Sequence, residues 1–226
     1  MIMKRLSSIY TLTGAALIFL FYFRNTRSTS TSPVSTPQFN RPPPIEGTFQ
    51  WTSRPEKYRV SSLIPLPSGP PVKIPSIQHK FSWGSGIAQE ERRQAVKETF
   101  NHAWEGYQEH AWLKDELAPV SGGSRSHFGG WAATLVDSLD TLWIMGLKAE
   151  FEAAVESVGT IDFTTTDEEE INVFETTIRY LGGLLAGYDL SGHEVLLKKA
   201  VELGDFLYAA FDTPDRMPIT RWKWKT

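Results

Sequence analysis

Cysteine is absent from all 226 residues, which excludes a disulfide or a thiolate metal site within this chain. A dominant charge is missing as well. Lys and Arg number 23 against 26 Asp and Glu, a net −3, and no basic cluster offers a footprint for nucleic acid. The basic and aromatic residues interleaved from Arg221 to Lys225 are too few for a single-strand platform. Neither GxGxxG nor GxxxxGK[ST] occurs, so the glycine-rich stretches are not read as phosphate cradles. No Asn-x-Ser/Thr acceptor is present, and no repeat of fixed period is visible.

Long apolar runs are also scarce, with one exception. Tyr10 to Phe23 (YTLTGAALIFLFYF) carries no charge, and Ser7 extends the run backwards. Its length lies at the short end for a membrane-spanning helix and is long for the core of a cleaved signal. No small-x-small cleavage site follows it. Phe21, Tyr22 and Phe23 at its end suit a membrane interface. We read residues 1–6 as a short cytoplasmic tail and 7–23 as a transmembrane signal anchor. Residues 24–79 change composition, with Ser and Thr alternating in RSTSTSPVSTP and prolines clustering at 42–44 and 65–71. Such a segment buries too little apolar surface to offset its ordering entropy, so it reads as a disordered stem.

Residues 80–226 turn helical. Val96, Phe100, Ala103, Trp104 and Tyr107 trace one apolar stripe on a first helix expected to run to about Leu117. His102 and His110 share that helix without a third partner at ligand spacing, and are read as ordinary surface histidines. After a Gly/Ser loop, Trp131 to Met145 predicts a second helix, on which Asp137 and Asp140 nearly share a face. Glu150 to Val158 predicts a third. The acidic run Asp167–Glu170 lacks the spacing of a calcium loop. It is better explained as helix initiation, with Asp167 as N-cap and Glu170 as its capping-box partner. Ser191 and Glu194 form a similar box before a last amphipathic helix. No convincing strand pairs appear, so the class is all-α. Bundles, solenoids and α/α barrels fit the pattern equally.

The central stretch, Ile171 to Tyr188, reads INVFETTIRYLGGLLAGY. Phe174 or Val173, Ile178, Leu181, Leu184, Leu185 and Tyr188 recur at helical spacing. Glu175 and Arg179 sit four apart, one turn on the same face. Gly182 and Gly183 cost about 1 kcal/mol each relative to alanine, which close packing of another backbone or a ligand would offset. Spacing by itself favours a solvated Glu–Arg pair over a catalytic acid.

The wording of three segments changes that balance. NVFETTIRYLGGLL, FGGWAATLVDSLDTLWIMGL (Phe128 to Leu147) and AFDTPDRMPITRW (Ala210 to Trp222) closely resemble class I α-1,2-mannosidases, glycoside hydrolase family 47, in order and approximate spacing. The resemblance implies an (αα)7 barrel, of which this chain would hold roughly the first four to five helices as an N-terminal fragment. It implies an inverting, calcium-dependent hydrolysis of terminal α-1,2-linked mannose from high-mannose N-glycans. Glu175 would be the acid that protonates the glycosidic oxygen, and Arg179 and Asp137 would contact substrate. The base carboxylate and a calcium-contacting threonine are expected beyond the sequence given, so no metal ligand is assigned in this chain. A fragment of 80–226 is expected to be poorly stable and inactive by itself. The expected location is the endoplasmic reticulum or Golgi membrane, single-pass type II with a lumenal catalytic part. The competing class is a mannosidase-like factor that recognises glycoproteins for degradation without robust turnover.

Overall fold

In the computed structural model, residues 46–62, 69–70, 73, 75, 77 and 87–225 are described. The tail at 1–6, the anchor at 7–23 and most of the stem at 24–79 lie outside them. Among the described residues, no helix is long and apolar enough to cross a membrane.

The helical periodicities become helices, with different ends and often a different buried face. Helix α1 spans Ile87–Ala111 and stops short of Leu117, because Leu113 takes a left-handed backbone conformation at φ 61°. Its core contacts are Trp104, Tyr107 and Ala111. Val96 and Ala103, expected in the buried stripe, are exposed. The reason is local: the last turns of α1 pack against a hairpin of β1 (Glu116–Ala118) and β2 (Gly123–Arg125), while Val96 borders an open pocket with Ile144 and Met145. This hairpin pairs Glu116 with Arg125 and Ala118 with Gly123. Strands this short carry no readable period, so the expectation of no strand pairs was wrong in detail while the fold remains mostly helical.

The second expected helix is two pieces, α2 (Ala133–Asp137) and α3 (Leu139–Ile144), hinged at Ser138. Leu135, Val136, Leu139 and Leu142 are fully buried, as their spacing implies. Helix α4 follows over Lys148–Gly159. The acidic run then stays in a loop. The N-cap of the next helix is Asn172, whose side chain accepts the Glu175 N–H at 3.2 Å, so the capping box assigned to Asp167 and Glu170 does not form. Strand β3 (Ile171–Asn172) pairs antiparallel with β4 (Arg221–Trp222), fixing the start of that helix.

From Val173 to Ser191 the chain is continuously helical: α5 (Val173–Thr176), a π-helical segment (Thr177–Leu181) and α6 (Gly182–Ser191). Its buried residues are Val173 and Leu184, both in the expected stripe, together with Thr176, Tyr180 and Gly187, which were not. Phe174 and Ile178 are 62% and 53% exposed. The helix is apolar nearly all round, and the face that packs contains a threonine, a tyrosine and a glycine, which hydropathy undervalues. Close backbone packing accounts for one of the paired glycines. A Cβ on Gly183 would lie 2.6 Å from the Val136 carbonyl oxygen, whereas one on Gly182 would meet nothing nearer than 3.7 Å. Helix α7 (Glu194–Tyr208) completes the layer, packing on α4 and α6. It is capped at His193, and Ser191 instead accepts the His193 N–H, so the second box does not form either.

Part of the expected stem is folded onto this core. Trp51 is only 8% exposed and packs edge-on against Phe206 at 5.0 Å and Trp222 at 5.5 Å. Its indole N–H donates to the Thr164 carbonyl at 2.8 Å. Asp212 accepts the backbone N–H groups of Lys57 and Tyr58, each at 2.8 Å. Composition averages over the prolines and serines around Trp51 and so conceals a single anchoring aromatic.

Candidate active site

Glu175, Arg179 and Asp137 converge. Arg179 Nε donates to Glu175 Oε2 at 2.7 Å, and Arg179 Nη1 donates to Asp137 Oδ2 at 3.0 Å. The first contact is the one-turn spacing read from sequence. The second joins two elements 42 residues apart and depends on the close approach of α6 to α2 at Gly183. Phe128 supplies a floor, its ring centroid 4.6 Å from the guanidinium carbon, a cation–π distance. The three charged side chains are 26%, 37% and 33% exposed in the order named, half-buried but open to a ligand.

The electrostatics follow from that position. Glu175 first, and Asp137 with it, favour the protonated guanidinium and raise the Arg179 pKa. The Asp137 carboxyl is shifted above its ordinary range because burial outweighs the pull of Arg179, and Asp140 and Glu175 add repulsion. Asp140 itself turns to Thr141, whose hydroxyl lies 3.2 Å from its Oδ1, and acts on the cluster through its charge without bonding to Arg179. Glu175 Oε1 has no hydrogen-bond partner among the described residues. One oxygen is thus held by a fixed cation and the other is available to a substrate atom.

A third carboxylate joins the segments that carry the cluster and was not read from the sequence. Asp115 is fully buried and accepts four hydrogen bonds. Phe128 N–H at 2.8 Å and Gly130 N–H at 3.0 Å reach Oδ2; Ala133 N–H at 3.1 Å and the Tyr180 hydroxyl at 2.9 Å reach Oδ1. Phe128 was also missed as a site residue, although it opens one of the three matching segments. The third matching segment arrives through β4, whose pairing with β3 sets the residues just before Glu175. An open groove of about 590 Å³ lined by Trp131, Asp162 and Glu168 lies apart, and none of Asp137, Glu175 or Arg179 lines it.

The model of glycosyl hydrolase family 47 matches residues 99–226, a span that contains all three charged residues and Phe128. The chain belongs to that family. Over 129 residues it is 49% identical to a mannosyl-oligosaccharide 1,2-alpha-mannosidase of Arabidopsis thaliana, covering 57% of this chain and 23% of that protein. It is 47% identical over 139 residues to the endoplasmic reticulum mannosyl-oligosaccharide 1,2-alpha-mannosidase of Rattus norvegicus, covering 61% and 21% respectively. The solved alpha-1,2-mannosidase from Trichoderma reesei superposes with a TM-score of 0.58 at 35% identity, over 60% of this chain and 31% of that one. The family chain described here therefore spans between about a fifth and a third of the length of these relatives.

Among the described residues, no group of three or more His, Cys, Asp or Glu side chains could hold a metal ion. The calcium implied by the family finds no donor set there, and no step below passes through it.

Proposed function

We propose that this family 47 chain serves the hydrolysis of terminal α-1,2-linked mannose from high-mannose N-glycans, as a glycosidase of the secretory pathway. The observation that carries the reading is Glu175: one carboxyl oxygen fixed by Arg179, the other without a partner among the described residues, on a half-buried and accessible face. A carboxyl group fixed through one oxygen and open at the other can present that second oxygen to a bound glycosidic oxygen. Glu175 donates its proton to the glycosidic oxygen as the bond to the anomeric carbon breaks. A water attacks from the opposite face, and a base outside the described residues takes its proton. Arg179 and Asp137 orient the sugar, and Arg179 offers its remaining N–H donors to hydroxyls.

The names of the plant and rat relatives, both mannosyl-oligosaccharide 1,2-alpha-mannosidases, support this substrate class. The rat relative's location supports the endoplasmic reticulum, with residues 7–23 as the proposed type II anchor. The helices α1 to α7 are proposed as part of an (αα)7 barrel, and calcium dependence as a property of the whole enzyme.

The test is an assay of the native gene product, enriched from membranes, on a high-mannose glycan. Mannose should be released from α-1,2 linkages, appear first as the β-anomer by proton NMR, and cease to appear after calcium chelation. Stable protein that binds the glycan without releasing mannose would instead identify a recognition factor. Release as the α-anomer would overturn inversion.

A further inference from the structure

Asp115 contacts three segments that deliver side chains to the Glu175 cluster: the loop at Phe128, the start of α2 and the π-helical segment. Its Oδ2 holds the N–H of Phe128, whose ring lies against Arg179. Its Oδ1 holds the N–H of Ala133, the first residue of α2, one turn before Asp137. The same oxygen holds the hydroxyl of Tyr180, the residue after Arg179 in the π-helical segment. Its own carbonyl accepts from Thr134 twice, through N–H at 2.9 Å and the hydroxyl at 2.7 Å. The loop so held is not relaxed by itself. Gly129, Gly130 and Ala132 have φ of 94°, 74° and 61°, and for alanine that conformation is strained.

A carboxylate has four lone-pair positions, and here four donors fill them. Three of those donors are backbone N–H groups that cannot reverse. Asparagine keeps the shape and replaces one acceptor oxygen with a donor, so at least one N–H is left facing another. No Lys or Arg lies among the four partners, so Asp115 is bound by directional bonds and its role is geometric.

We infer that Asp115 is a positioning residue for the reaction: through Phe128, Ala133 and Tyr180 it sets the place of Arg179 and Asp137, and through Arg179 that of the Glu175 carboxyl. This rests on the reading of Glu175 as the acid. Loss of such support moves the cluster by a fraction of an ångström to an ångström, enough to reduce turnover about 100-fold.

The experiment uses the native full chain with Asp115→Asn, Tyr180→Phe and a control, Glu202→Gln, which alters a buried carboxylate on α7 that bonds to Lys199 and the Phe163 N–H and to none of Asp115, Asp137, Glu175 or Arg179. Asp115→Asn should lower kcat about 100-fold and Tyr180→Phe several-fold, while Glu202→Gln lowers the thermal midpoint and leaves kcat within about twofold. Added to Glu175→Gln, Asp115→Asn should cost nothing further, since both act on one proton transfer. Amide exchange over residues 173–181 should rise in Asp115→Asn and not in the control. A folded Asp115→Asn with wild-type kcat, or a loss that multiplies that of Glu175→Gln, would overturn the inference. Should the wild type release no mannose, the acid reading fails, and exchange over 173–181 decides the role of Asp115: raised exchange sustains it, unchanged exchange overturns it. If Asp115→Asn does not fold, Tyr180→Phe decides by the same two readouts.

Discussion

Two ion clusters sit on neighbouring helices, and they have opposite designs. Lys199 and Glu202, one turn apart on α7, are 4% and 6% exposed, with Lys199 Nζ 3.1 Å from Glu202 Oε2. Every remaining bond of that pair goes inward. Lys199 also donates to the Ile161 carbonyl, and Glu202 Oε1 accepts the Phe163 N–H at 2.7 Å. The Glu175–Arg179–Asp137 cluster also pairs carboxylates with a cation, but at greater exposure, and leaves a carboxyl oxygen without a partner among the described residues. The first stitches a loop to a helix. The second keeps reactive capacity free. Similar charges, spaced alike in sequence, differ in what surrounds them.

The comparison can be broken at either cluster. The largest expected effect is on Glu175. Replacement by Gln should reduce turnover about 1,000-fold, the scale of a general acid, with the thermal midpoint nearly unchanged. Lys199→Met should do the reverse, leaving the Glu202 carboxylate buried without its cation and destabilising the fold by about 3 kcal/mol in chemical denaturation. Gly183→Ala should cost about 2 kcal/mol, because its Cβ meets the Val136 carbonyl, and should also separate Arg179 from Asp137 and lower kcat. Arg179→Ala should cost under about 1 kcal/mol of stability, since the pair is partly solvated, while affecting turnover far more.

The smallest effect concerns pH. Burial raises the Glu202 pKa, so the folded state holds that proton more tightly than the unfolded chain. Its contribution to stability falls as pH rises from the ordinary glutamate range to the raised value, and is flat above. Asp212 has the opposite sign. The Lys57 and Tyr58 N–H groups lower its pKa, so its contribution is present above the ordinary aspartate range and lost as pH falls through the lowered value. Thermal midpoints of wild type and Asp212→Asn should therefore differ at neutral pH and converge in acid.

Much of the cluster was legible and much of its support was not. Glu175 and Arg179 are four apart on a helix, so their contact follows from spacing. Their link to Asp137 crosses 42 residues and was not read from the sequence, where the family wording gave Asp137 only as a substrate contact. Asp115 and Trp51 were invisible for a shared reason: each is one polar or aromatic residue in a non-repeating segment, and its meaning lies in partners far along the chain, such as Tyr180 and Phe206. The buried face of the central helix was read correctly at Val173 and Leu184 and misread at Ile178, because exposed Phe174 and Ile178 are as apolar as the residues that pack.

The measurement closest to the central claim is the single-turnover rate of α-1,2-mannose release by the native gene product, with Glu175→Gln beside it and the thermal midpoint of each recorded. The account expects a loss of about 1,000-fold at an unchanged midpoint. A folded Glu175→Gln protein that releases mannose at the wild-type rate would contradict it.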